Sequence, residues 1–103
     1  MSRTLLITAF ICLPVSAFAA SGEETCKKIS AMAGKAMEAR QNGELLEDAM
    51  SSVGDQSKFS DAMVVKAYTA PVANSSASKK KLVSDFRNAA YAECYTNIIE
   101  PMK

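Results

Sequence analysis

The stretch Ser21-Gly22-Glu23-Glu24-Thr25-Cys26-Lys27-Lys28-Ile29-Ser30-Ala31-Met32-Ala33-Gly34-Lys35-Ala36-Met37-Glu38-Ala39-Arg40-Gln41-Asn42-Gly43 decides the fold. At about 100° per residue, Cys26, Ile29, Ala33, Met37 and Arg40 fall on one helix face with Ala36 at its edge. Lys27, Lys28, Lys35 and Glu38 fall elsewhere. The spacing predicts a helix from about Glu23 to Asn42. Ser21 is placed to cap its start, with Glu24 at the capping-box position. Asn42-Gly43 supplies the stop and a tight turn.

A second long helix is predicted from Lys79 to about Ile99, ending at Pro101. Val83, Ala90, Cys94 and Ile98 line one face, Phe86 lies beside them, and Arg87 falls near the centre of that face. Each arm, from its cysteine to the far end, is about 16 residues or about 24 Å long. If Cys26 and Cys94 meet, the helices are antiparallel and their far ends coincide. A disulfide needs Cα atoms about 6 Å apart, closer than ordinary helix axes at about 8–10 Å. Ala33, Ala36 and Ala90 on the facing stripes allow that approach.

Between the long arms, Glu44 to Ser52 reads as a short helix with Leu46, Ala49, Met50 and Val53 inward, and Gly54 as its end. A third helix follows Ser57, with Phe59, Met63, Val64, Ala67 and Tyr68 as its buried candidates. Val64-Val65 lacks the alternation a strand needs, and Pro71 stops the helix. Pro71 to Ser78 is the one clear loop. Its Asn74-Ser75-Ser76 matches the N-glycosylation acceptor pattern, a cheap match in a serine-rich loop. Lys79-Lys80-Lys81 is expected in the first turn of the last helix, against the macrodipole and facing solvent. The fold class expected is all-α: a small antiparallel bundle of about four helices, its long first and last members clamped by one disulfide.

The first residues set the compartment. Arg3, the apolar run Leu5 to Val15 and the small-x-small triplet Ala17-Phe18-Ala19 form a signal peptide, with cleavage expected after Ala19. The run falls short of the roughly 20 apolar residues of a membrane span. Ile11 before Cys12 is too large for a lipobox. The domain is therefore expected over residues 20–103, periplasmic or secreted, with no stable membrane insertion after cleavage. Export removes Cys12, one of the chain's 3 cysteines, and leaves Cys26 and Cys94 in a compartment where disulfides persist. It also removes Arg3 from 12 basic residues, leaving a neutral chain against 11 acidic ones. A neutral chain has no general attraction for nucleic acid or anionic lipid.

The chain contains no histidine. That removes the usual general base, the Ser-His-Asp and Cys-His arrangements, and the commonest transition-metal ligand. The cysteines lie far apart, without a CxxC pair, so neither zinc nor thioredoxin-like redox chemistry is suggested. The glycines are scattered and form no phosphate loop. Glu47-Asp48 and Asp85 with Glu93 sit on polar faces without a neighbour that would raise a pKa. No enzyme activity, metal or cofactor is expected.

The residues Cys26, Ala33, Met37, Arg40-Gln41, Gly43, Ala67-Tyr68, Pro71, Phe86, Tyr91 and Cys94 together resemble small exported proteins of proteobacteria with no assigned function. The resemblance implies a periplasmic or secreted helical protein and carries no active residue. In gross architecture the chain is also similar to the acid-stress chaperones of the bacterial periplasm, whose cysteines lie closer together.

The functional expectation is a binding or interaction module, its partner another envelope protein. An acid- or envelope-stress chaperone and a small apolar-ligand carrier are the alternatives, although a bundle this small is expected to have little room for a pocket of about 300 Å³. Candidate contact residues are Met32, Arg40, Tyr68, Arg87, Tyr91 and Tyr95. The methionines Met37, Met50 and Met63 are expected to fill the core. Arg40 and Arg87, each on an apolar stripe, are expected to carry their heads to water or to a carboxylate.

Overall fold

The structure, a computed structural model, describes the backbone of residues 13–102 and the side chains of residues 21–101. Among the described residues four α-helices are joined by short connections: α1 (Leu13–Gln41), α2 (Leu46–Ser52), α3 (Lys58–Ala67) and α4 (Ser76–Cys94). A π turn (Tyr95–Ile99) and a 3-10 turn (Glu100–Met102) continue α4. No strand is present among the described residues. The all-α bundle expected from the sequence is the fold, with α1 and α4 as its antiparallel long members and the disulfide Cys26–Cys94 between them. The Cα atoms of that pair lie 5.5 Å apart.

α1 starts earlier than the capping box suggests. Ser21 is interior to the helix, and its carbonyl accepts the Thr25 hydroxyl at 2.8 Å. The alanine-rich run before it favours helix, and a proline such as Pro14 is tolerated in a first turn. Of the leader expected over residues 1–19, residues 1–12 lie outside the described residues.

The far end of α1 is a Schellman stop. The Gly43 N–H bonds to the Arg40 carbonyl at 3.1 Å and the Glu44 N–H to the Ala39 carbonyl at 3.0 Å. Gly43 holds φ at +79°, which a side chain would strain. α3 begins as expected, with the Ser57 hydroxyl accepting the Ser60 N–H.

α4 begins at Ser76, three residues before the lysines, because Ser75 caps it by accepting the Ser78 N–H. Lys79-Lys80-Lys81 therefore lies beyond or at the edge of the first turn rather than opening the helix. Lys81 pairs with Asp85 one turn on, at 2.7 Å. The other end of α4 also differs from expectation. Regular α-helix stops at the disulfide cysteine, and the backbone widens into the π turn instead of continuing to Ile99. That turn returns Ile99 to the interior beside Cys26 and Cys94.

Two apolar clusters result. The larger gathers Ala36, Met37, Ala39, Ala49, Val64 and Ala67, with Met50, Val53, Tyr68, Leu82, Val83 and Phe86 packed around it. The smaller holds Cys26, Cys94 and Ile99, flanked by Ile29, Tyr91, Tyr95 and Ile98. Met37 is in the core as expected, and Met50 and Met63 are half-buried.

Other positions on the short helices correct the sequence reading. Leu46 is exposed, and so is Phe59, at 55 %. Fully buried instead is Ser60, whose hydroxyl donates to the Ser57 carbonyl and accepts the Asp55 N–H, each at 3.1 Å. A Cβ on Gly54 would come within 2.7 Å of that hydroxyl. Helical periodicity marks apolar positions and is blind to a serine buried by its own local hydrogen bonds.

Candidate functional site

The site lies where α3 and α4 part. α3 packs mainly on α1 and α2 and shares with α4 only the larger cluster, where Val64 and Ala67 lie among the residues that Leu82, Val83 and Phe86 pack against, so the two helices form the lips of an open groove. Phe59, Ala62, Met63 and Lys66 come from the α3 lip. Phe86, Ala89, Ala90 and Glu93 come from the α4 lip. Ile29 of α1, Cys94, and Asn97 and Ile98 of the π turn complete the lining. The volume is about 400 Å³. That is larger than the expectation of little room for about 300 Å³ allowed. A helix pair that packs over only part of its length leaves a recess, and α3 and α4 do so here.

Phe59, Ala62 and Ala89 line the groove as exposed residues, and Phe86 and Ala90 line it half-buried. Lys66 and Glu93 are the charged members of the lining, one on each lip. Their Nζ and Oε2 atoms are 3.9 Å apart across the opening, and both side chains are 69 % exposed. A pair so exposed contributes little to stability. The groove offers apolar surface and two opposite charges; it holds no nucleophile with a base beside it. Among the described residues no group of three or more His, Cys, Asp or Glu is placed to hold a metal ion, and no helix is long and apolar enough to cross a membrane.

None of the six contact residues expected from the sequence lines this groove. Arg40 and Tyr68 meet at the other end of the molecule. The Arg40 Nε donates to the Ala70 carbonyl at 2.8 Å, and its guanidinium lies 5.4 Å from the centre of the Tyr68 ring. Among the described residues it forms no ion pair with a carboxylate, and the side chain is half-buried. The Tyr68 hydroxyl donates to the Glu44 carbonyl at 2.8 Å. Burial, with Glu44 nearby, pushes that hydroxyl's pKa up, so it stays a donor.

Beside Arg40, Gln41 is 3 % exposed and doubly used. Its amide donates to the Pro71 carbonyl at 2.9 Å and its Oε1 accepts the Ala73 N–H at 2.8 Å. Arg87 crosses from α4 to α1, where its Nε donates to the Ser30 hydroxyl at 3.3 Å. The Ser30 hydroxyl lies within 3.3 Å of the Arg87 carbonyl too. The stem of Arg87 covers Gly34, where a Cβ would lie 2.8 Å from its Cδ. Tyr91 and Tyr95 pack on the disulfide cluster, and Met32 is half-buried on α1.

The groove residues carried one signal in the sequence: Phe59, Ala62, Met63 and Lys66 recur at helical spacing on α3. Periodicity assigned Phe59 and Met63 to the core because it could not show that α4 stays away. One titrating group stands apart from the groove. The Ser57 hydroxyl, the Ser57 N–H and Ser60 hold the Asp55 carboxyl down at about 2. No protein-family model, no curated protein and no solved structure matches the chain.

Proposed function

We propose that this chain is a binding module of an oxidising compartment outside the cytoplasm, exported by its N-terminal leader, and that the groove between α3 and α4 is its binding surface. The observation that carries this reading is the recess of about 400 Å³ whose apolar lining the chain itself leaves unfilled. Concave, mostly apolar recesses of about 300–1,000 Å³ are the usual form of a binding site. The disulfide fits an oxidising environment and anchors the floor of the groove at Cys94. In this reading the chain does no covalent chemistry, and Lys66 and Glu93 set orientation at the rim.

The test is a photo-crosslinking amino acid placed at Ala89, inside the groove, against the same group at Asn88, which is exposed and outside it. In the native compartment, position 89 is expected to give discrete adducts that position 88 does not. Equal, diffuse labelling at both positions would remove the groove from consideration. Carriage of a small apolar molecule is the second reading, favoured by the volume; native mass spectrometry of the purified chain without any co-purified mass would dispose of it.

A further inference from the structure

Resting on the reading that this groove binds, we propose that its occupant is a second copy of the same chain, joined about a twofold axis running between α3 and α4. The argument begins with the charges. A twofold interface uses one patch on both sides, so residue i meets residue j and j meets i. The patch must therefore be complementary to itself. Lys66 stands on the α3 lip and Glu93 on the α4 lip. Rotation about the axis lays each α3 lip against the other copy's α4 lip, and both charge contacts become attractive together.

Shape follows the same pattern. Phe59, 55 % exposed, stands on the α3 lip, and the recess of about 400 Å³ opens beside it. One surface thus carries both an inserting side chain and the space to receive it. The lysine and glutamate are free to change partners, since their contact within the chain is long and exposed. The net charge of +1 at pH 7 raises no long-range barrier between copies. The rim disfavours a charged single-chain amphiphile: an anionic head drawn to Lys66 would meet Glu93, 3.9 Å from it, and a cationic head would meet the reverse.

Analytical ultracentrifugation of the oxidised chain tests the proposal with K66E and E93K, both at exposed positions. Each variant alone sets like charges against one another across the axis, and dimerisation is expected to weaken by about tenfold or more. An equimolar mixture of the two restores opposite charges at both contacts of the mixed dimer, and it is expected to recover most of the wild-type affinity. Pairing within one chain cannot produce that recovery, because each variant chain carries like charges at its own rim. Phe59→Ser, which leaves the buried clusters intact, is expected to lose about tenfold as well.

A wild-type chain that stays monomeric to about 1 mM, or a mixture no tighter than its components, overturns the proposal. A crosslink from position 89 to a different protein, or an apolar molecule found in the groove, also overturns it but leaves the groove as a binding surface. Absence of any adduct at position 89 removes both readings.

Discussion

At one end of the bundle Cys26 and Cys94 join α1 to α4 by a covalent bond. At the other, Arg40 and Gln41 reach from the last turn of α1 to the backbone of Ala70, Pro71 and Ala73. The covalent end has the thinner apolar cluster, with three buried members against six, and the groove opens beside it at Ile29 and Cys94. The hydrogen-bonded end has the larger cluster and brings all four helices together. A covalent link holds two helices without help from their neighbours, so α3 is free to stand off α4 there. Hydrogen bonds between side chain and backbone are stronger where packing lowers the local dielectric. Each end has an interior that suits its fastening.

The contrast can be broken at either end. The largest effect is expected from Cys26→Ser or from reduction. Opening a loop of 68 residues' separation should lower unfolding free energy by about 4 kcal/mol in the chain-entropy account, read from urea melts of oxidised and reduced protein. A loss under about 1 kcal/mol would mean that the thin cluster holds its end unaided.

Next in size is Gln41→Leu, which leaves the Pro71 carbonyl and the Ala73 N–H without their partner at a part-buried site. A cost of about 2 kcal/mol is expected in the same melts. The two sites are about 22 Å apart along α1, so the double change should cost the sum of the singles. Departure from additivity would show that the ends are coupled through α4.

Arg40→Lys keeps the charge but gives up the planar contact with Tyr68 and the bond to the Ala70 carbonyl. About 1 kcal/mol should be lost, with the change in chemical shift confined to Tyr68 and the loop after it. Spread of the shift changes to Tyr91 and Tyr95 would contradict the separation of the ends.

The smallest effect is a pH dependence at the α2–α3 turn. The Asp55 carboxyl falls from 3.8 to about 2 on folding, chiefly through the Ser57 hydroxyl. A depressed carboxylate stabilises fully above its unfolded pKa, and that stabilisation is lost as pH falls through the folded one. Asp55→Asn should therefore lower the melting temperature at neutral pH, leave it little altered near pH 2, and so flatten the fall between about pH 4 and pH 2. An unchanged acid slope would place the acid sensitivity elsewhere.

The sequence by itself determined the helix pair, its antiparallel direction and its clamp. Two apolar stripes of period 3.6 carrying one cysteine each, at equal distances from their far ends, admit few other arrangements. Gly43 and Ser57 were legible for the same reason, since a left-handed stop and a hydroxyl cap are local demands met by local residues. The polar fastening was not legible: Arg40 and Gln41 find partners about 30 residues away, on backbone atoms that carry no mark in the sequence. Nor was the groove. Whether Phe59 and Met63 belong to core or surface depends on the gap between α3 and α4, and that gap follows from how α3 settles on α1 and α2. Periodicity says which face of a helix is apolar; only packing says whether another helix covers it.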